Sequence, residues 1–213
     1  WTNSCHSRAI LAYMDFIFQI AILIMSVVIH EVSHGFAAKA YGDNTALYQG
    51  RLTLNPVKHI DPVGSVLIPI LSYMMGGFVF GWAKPVPYNP YNLKPGRWPE
   101  AFVSLAGPLS NICIAIIFSL AIRFVALPSG GFLIITSTIV YVNILLAIFN
   151  LMPIPPLDGS KLLFSIFPEK LYAMRGFFER YGLGLVIFFI FFAWQFVAPL
   201  VSFLFHFLTG LPI

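Results

Sequence analysis

Hydrophobic and polar positions divide this chain into long apolar runs joined by short polar pieces. The first run covers about residues 12–29, continues through an ionisable cluster to Ala40 and stops at Gly42. A helix of that length has about 30 residues and rises roughly 45 Å, enough to cross a bilayer and emerge. Residues 43–62 are polar, with strand-like and turn-like pieces in "LYQGRLTLNPVKHIDP". A second apolar run, 63–82, carries Pro69, Gly76, Gly77 and Gly81, which weaken a regular helix. The loop "WAKPVPYNPYNLKPGRWP" is rich in proline, aromatics and basic residues. Clean spans follow at about 100–126 and 132–151, joined by "LPSGG". After "PIPPLDGSKLL" and a mixed stretch to Tyr181, a last apolar run occupies 183–208. This pattern predicts an α-helical polytopic membrane protein with about 4–5 transmembrane helices. It forms a single domain over 1–213, with 1–11 outside the membrane and 43–99 as a re-entrant and strand-containing region.

Composition agrees with the pattern. Of 213 residues, 59% are hydrophobic and 9% charged, and the mean hydropathy is +0.86. A soluble domain carries about 25% charged residues. The net charge of +4 does not describe a nucleic-acid surface, because Lys and Arg are scattered singly between apolar runs. They orient the chain instead. Arg51, Lys58, Lys84, Lys94 and Arg97 flank run 63–82, while Lys161, Lys170, Arg175 and Arg180 follow the fourth run. If 63–82 re-enters, all of these fall on one face, as the positive-inside rule requires; Arg8 falls on the other. Irregular backbone at that depth needs protein or water around it, which places the segment beside a site cavity. Cys5 and Cys113 are too few for a disulfide framework, and Cys113, inside an apolar run, is expected as a buried free thiol.

"HEVSH" at 30–34 puts His30, Glu31 and His34 into this apolar setting. Residues four apart share a helix face, so His30 and His34 can hold one cation with Glu31 beside it as general base. The competing reading is a polar cluster satisfied by neighbouring helices. A catalytic zinc needs a third protein ligand. The long metzincin form would place it at Ala40, and the next glutamate is Glu100. The remaining carboxylate among apolar residues is Asp158, where Pro153, Pro155 and Pro156 prevent continuous helix and Gly159 permits a tight turn. Its bland alternative is a helix N-cap.

These residues carry a resemblance. HEVSH, "AGP" at 106–108 followed by Asn111, and "NLMPIPPLDG" at 150–159 resemble the site-2 protease family of intramembrane zinc metalloproteases, peptidase M50. "LNPVKHIDPVGSVLIPI" and "GWAKPVPYNPYNL" look like its compact bacterial branch without PDZ or CBS domains. The resemblance covers the chain from about residue 14; the opening "WTNSCHSRAILAY" departs from it. It implies one Zn²⁺ held by His30, His34 and Asp158, Glu31 as catalytic base, and Asn150 helping to hold substrate or the oxyanion. The implied partners are a transmembrane protein substrate and the lipid bilayer, with no nucleic acid. The implied location is a bacterial plasma membrane, with the site opening toward the cytoplasm. Substrate peptide bonds must first be unwound, and an extended stretch can then add to an edge in 46–54 or 79–92. A zinc transporter and a catalytically silent scaffold are the alternatives.

Other residues have simpler roles. His59 is expected to hydrogen-bond within its loop, and Asn143, two turns from Asn150, to join helices. Gly107, Pro108 and Ser110 allow close helix approach beside HEVSH. Trp82, Tyr88, Tyr91 and Trp98 suit an interfacial aromatic belt, and His206 the membrane interface.

Overall fold

The computed structural model describes residues 2–212 apart from 69, 72, 73, 75–82, 126–129, 168–175, 177–179, 183, 187, 190, 191 and 193. For 2–16, 66 and 194 it gives backbone alone. Most of run 63–82, including Pro69, Gly76, Gly77, Gly81 and Trp82, therefore lies outside the described residues, as do Lys170 and Arg175.

Helix α1 runs Thr2–Ala40. It stops where Gly42 takes φ +108° and the Asp43 amide returns to the Ala38 carbonyl at 2.9 Å. A short helical turn α2, Thr45–Tyr48, follows. Helix α3 is Trp98–Phe124, with Pro99 and Glu100 in the first turn, where a missing N–H and a negative charge both suit a helix start. Helix α4 is Gly131–Asn150, α5 is Asp158–Ile166 and α6 is Trp194–Thr209. Among the described residues, Ile17–Ala40, Trp98–Phe124 and Gly131–Asn150 are long and apolar enough to cross a membrane; Gln195–Thr209 is a shorter apolar helix.

Helix α3 is central, packing against α4, α1 and α5, while α4 also meets α1 and α6. Ala115, Val140, Ile144, Val197, Val201 and Phe205 form the core between α3, α4 and α6. Large apolar side chains such as Ile117, Phe124, Phe132 and Phe203 point outward. Such a surface suits lipid rather than water. At one end of the bundle Arg123 of α3 donates to the Phe207 carbonyl of α6. At the other, the Lys94 amide donates to Tyr41 O at 2.8 Å, tying the approach to α3 onto the end of α1.

The loops at that second end differ from expectation. No strand forms among the described residues. The strand-like piece at 46–54 opens instead as helical turn α2, because Asp43 Oδ1 accepts from both the Thr45 amide and hydroxyl. Residues 83–89 have no regular structure and no strand partner, since Pro85 and Pro87 have no N–H to offer a ladder. The flanks of the 63–82 run are joined: the Lys84 amide donates to His59 O at 2.8 Å. Cys113 is exposed rather than buried, because Asn111 and Ala115 on either side of it take the inward positions of α3. Tyr91 and Trp98 are exposed as a belt requires, whereas Tyr88 lies half-buried beneath Lys161.

Candidate metal centre

Helix periodicity brings His30 and His34 to one face of α1, and that face meets α3. Both rings are buried, as is Asp158 at the start of α5. One carboxylate oxygen, Asp158 Oδ2, lies 3.0 Å from His30 Nε2 and 3.1 Å from His34 Nε2. The two Nε2 atoms are 3.1 Å apart. These three residues form the described cluster able to hold a metal ion.

The far side of each ring settles its tautomer. His34 Nδ1 lies 2.7 Å from the Val103 carbonyl, which only accepts, so Nδ1 carries the proton. His30 Nδ1 lies 2.6 Å from Asn111 Oδ1. The Asn111 amide nitrogen is engaged elsewhere, with Asn143 Oδ1 at 2.8 Å and Ser26 O at 3.4 Å, so its oxygen accepts from His30. Asn143 in turn donates to Ser26 Oγ at 2.9 Å and so does join helices. Each ring thus turns its Nε2 toward the same carboxylate oxygen. A proton or a metal cation among these three atoms removes their mutual repulsion, and two imidazoles with one carboxylate suit zinc.

Backbone chemistry lets the cluster close. A Cβ on Gly107 would sit 2.5 Å from His34 Nε2 and 2.6 Å from His30 Nε2, so α3 approaches this tightly only with glycine there. A Cβ on Gly159 would strike the Leu151 and Met152 carbonyls. Asp158 makes no N-cap hydrogen bond; its carboxylate serves the histidines, and Lys161 Nζ stands 3.8 Å from its Oδ1. Lys161 also lies over the Tyr88 ring.

Glu31, beside the pair, accepts at Oε2 from the Val86 amide at 2.9 Å. Asn150 is half-buried and donates to Leu146 O in its own helix at 2.9 Å; the structure gives it no bond to the His–Asp cluster. His59 is buried and bonds its loop through Thr53 O at 2.9 Å. Ser110 bonds Gly107 O, and exposed His206 bonds Leu211 O.

With this geometry, comparison becomes informative. The profile of Peptidase family M50 matches residues 18–129 and 125–193. The chain belongs to peptidase family M50. YwhC of Bacillus subtilis, a candidate zinc metalloprotease, is 38% identical over 189 residues, covering 85% of this chain and 80% of its own. Rip2 of Mycolicibacterium smegmatis, named likewise, is 33% identical over 154 residues, covering 68% and 55%. MJ0611 of Methanocaldococcus jannaschii, a third such name, is 30% identical over 141 residues, covering 64% and 63%. No solved structure matches the chain.

In this M50 chain, sequence reasoning found the His–Asp cluster but missed what orients it. Asn111 lies 81 positions from His30, and the signal that could have found it is its i, i+4 relation to Gly107 on one face of α3. The Val86 amide and Lys161 were also missed. Of the two segments expected to accept a substrate strand, 46–54 and 79–92, the described part of the second has most of its amides engaged. The amides of Lys84, Val86 and Asn89 go to His59 O, Glu31 and Asp43, and Pro85, Pro87 and Pro90 have none.

Proposed function

We propose that this chain is a zinc-dependent intramembrane endopeptidase that hydrolyses peptide bonds within or near transmembrane segments of other membrane proteins. The observation that carries the reading is the convergence of two imidazole Nε2 atoms and one carboxylate oxygen beside Glu31, inside a bundle of membrane-length apolar helices. His30, His34 and Asp158 hold the metal, and M50 membership sets metal transport aside. Bound there, Zn²⁺ polarises the scissile carbonyl and makes water more acidic. Asn111 and the Val103 carbonyl keep both Nδ1 protons in place, so each ring offers Nε2 and nothing else. Glu31 takes a proton from the attacking water and delivers it to the leaving amine. Asn150 donates to the developing oxyanion once its amide leaves Leu146 O. The protein sits as one domain in a bacterial plasma membrane, its site opening to the cytoplasm, with 63–82 re-entering beside it.

The test pairs metal content with cleavage of a model transmembrane substrate by purified protein, with and without chelator. Glu31→Gln keeps one zinc per chain and loses proteolysis by about 10²–10⁴-fold, because an amide cannot accept the proton. Near-parental turnover in that variant would remove Glu31 as the base.

A further inference from the structure

Residues 84–86 cross the site as a strap, and its chemistry is unusually restricted. Pro85 and Pro87 have no N–H, so Val86 carries the one amide donor in 85–87, and that donor is on Glu31 Oε2 at 2.9 Å. The strap is held from behind by Arg51, whose Nη2 donates to Lys84 O at 2.9 Å and Pro85 O at 3.1 Å. Arg51 is 7% exposed, and among the described residues no carboxylate pairs with it. A buried guanidinium without a counter-charge is costly, so carbonyls in the right place matter to it. The Lys84 amide pins the strap to His59 O. Gly35, one turn beyond Glu31 on α1, makes the close approach possible: a Cβ there would meet Leu52 Cδ2 at 2.5 Å and Val86 Cγ1 at 2.8 Å.

We propose that Arg51 is a positioning residue for catalysis, holding the 84–86 strap so that the Val86 amide fixes the orientation of the Glu31 carboxylate. The proposal rests on Glu31 being the base. With Oε2 tethered, the carboxylate loses its freedom to swing about the end of the side chain, and its other oxygen keeps one direction. A flexible glutamate in the same place would present its oxygen to water only part of the time. Prolines on both sides of Val86 limit the strap to extended backbone, which suits a tether that must not collapse into a turn. The arrangement links a loop residue twenty positions away to the base through backbone atoms alone.

Residue-resolved amide hydrogen exchange on the zinc-free protein tests the tether without any turnover. In Glu31→Ala the Val86 amide exchanges at least about tenfold faster than in the parent, while Lys84, bound to His59 O, stays protected. Glu31→Gln, whose side-chain carbonyl still accepts, keeps Val86 protected. In the zinc-loaded protein, Arg51→Gln lowers kcat by about 10–100-fold with KM within about twofold, and its zinc content stays at one per chain. Arg51→Lys, which restores a cationic donor, recovers part of kcat, and it keeps the test alive if Arg51→Gln does not fold. Unchanged Val86 exchange in Glu31→Ala overturns the tether, and full activity in a folded Arg51→Gln overturns the role of Arg51. A Glu31→Gln variant that still cleaves removes the underlying assignment of the base instead, so the two failures are distinguishable.

Discussion

At Gly107 the metal centre depends on a missing side chain. Its would-be Cβ lies 2.5 Å from His34 Nε2, closer than real Cβ atoms come, and the neighbouring atoms are ring nitrogens on a packed helix. Gly107→Ala must push α3 from α1 or turn both histidines, an overpacking cost of about 1–3 kcal/mol. Zinc in the purified variant should fall well below one per chain, measured by elemental analysis. Gly131→Ala, with nothing within 4 Å of its Cβ, should remain fully loaded and serves as the control. Stoichiometric zinc in Gly107→Ala would mean that the helices can part without disturbing the ligands. The glycine was legible in the sequence as a site of close helix approach. That its neighbours are the metal-facing nitrogens was not, because nothing local to residue 107 names its partner on α1.

Between elements, Asp43 joins the end of α1 to the loop before α3. It is buried and accepts from Thr45, Asn92 Nδ2 at 3.0 Å and the Asn89 amide at 2.7 Å. Burial raises the carboxyl pKa, but the hydrogen bonds from Thr45, Asn92 and Asn89 outweigh it, and the net value lies below the ordinary one. A lowered folded-state pKa gives stability that is fully present above the unfolded value, about 3.9, and is lost as pH falls through the folded value. Asp43→Asn should therefore be less stable than the parent at pH 7, by about 1–3 kcal/mol, because one carbonyl cannot satisfy every donor. Below about pH 4 the difference should shrink, as the parent carboxylate takes up its proton. Thermal melts of both proteins in one detergent across that range measure it, and a gap independent of pH would show that the carboxylate charge is not what holds the loop.

For the whole molecule, we propose that run 63–82 re-enters rather than crosses, and the contact between Lys84 and His59 supports that reading. A segment that crossed once would leave its flanks about 30 Å apart. Here the flanks share a backbone hydrogen bond of 2.8 Å. The loops carrying Lys58 and Lys94 therefore gather at the end of the bundle where α1 stops and α3 starts, while Arg123 and Phe207 meet at the other. Single cysteines placed at 58 and 94 should react alike with an impermeant reagent applied from one side of the membrane. Opposite labelling of 58 and 94 would contradict the re-entrant path.

The features legible in the sequence are those set by local rules. Span length follows from uninterrupted apolar residues, and the pairing of His30 with His34 follows from helical period alone. Asp158 stood out because an isolated carboxylate at membrane depth needs a partner. Tertiary structure decided everything that depends on contacts between distant segments. Only packing of α3 on α1 shows that Asn111 and the Val103 carbonyl, 81 and 69 positions away, direct both Nε2 atoms at the metal site. Only the loop contacts show Asp43 winding 45–48 into a turn, and Val86 reaching Glu31 from 55 positions away. The same holds for the outward turn of Cys113 and the different placing of Asn143 and Asn150. Helical period says which residues share a face, but which face meets which neighbour is fixed by the packing of whole helices, and no local stretch of sequence encodes that.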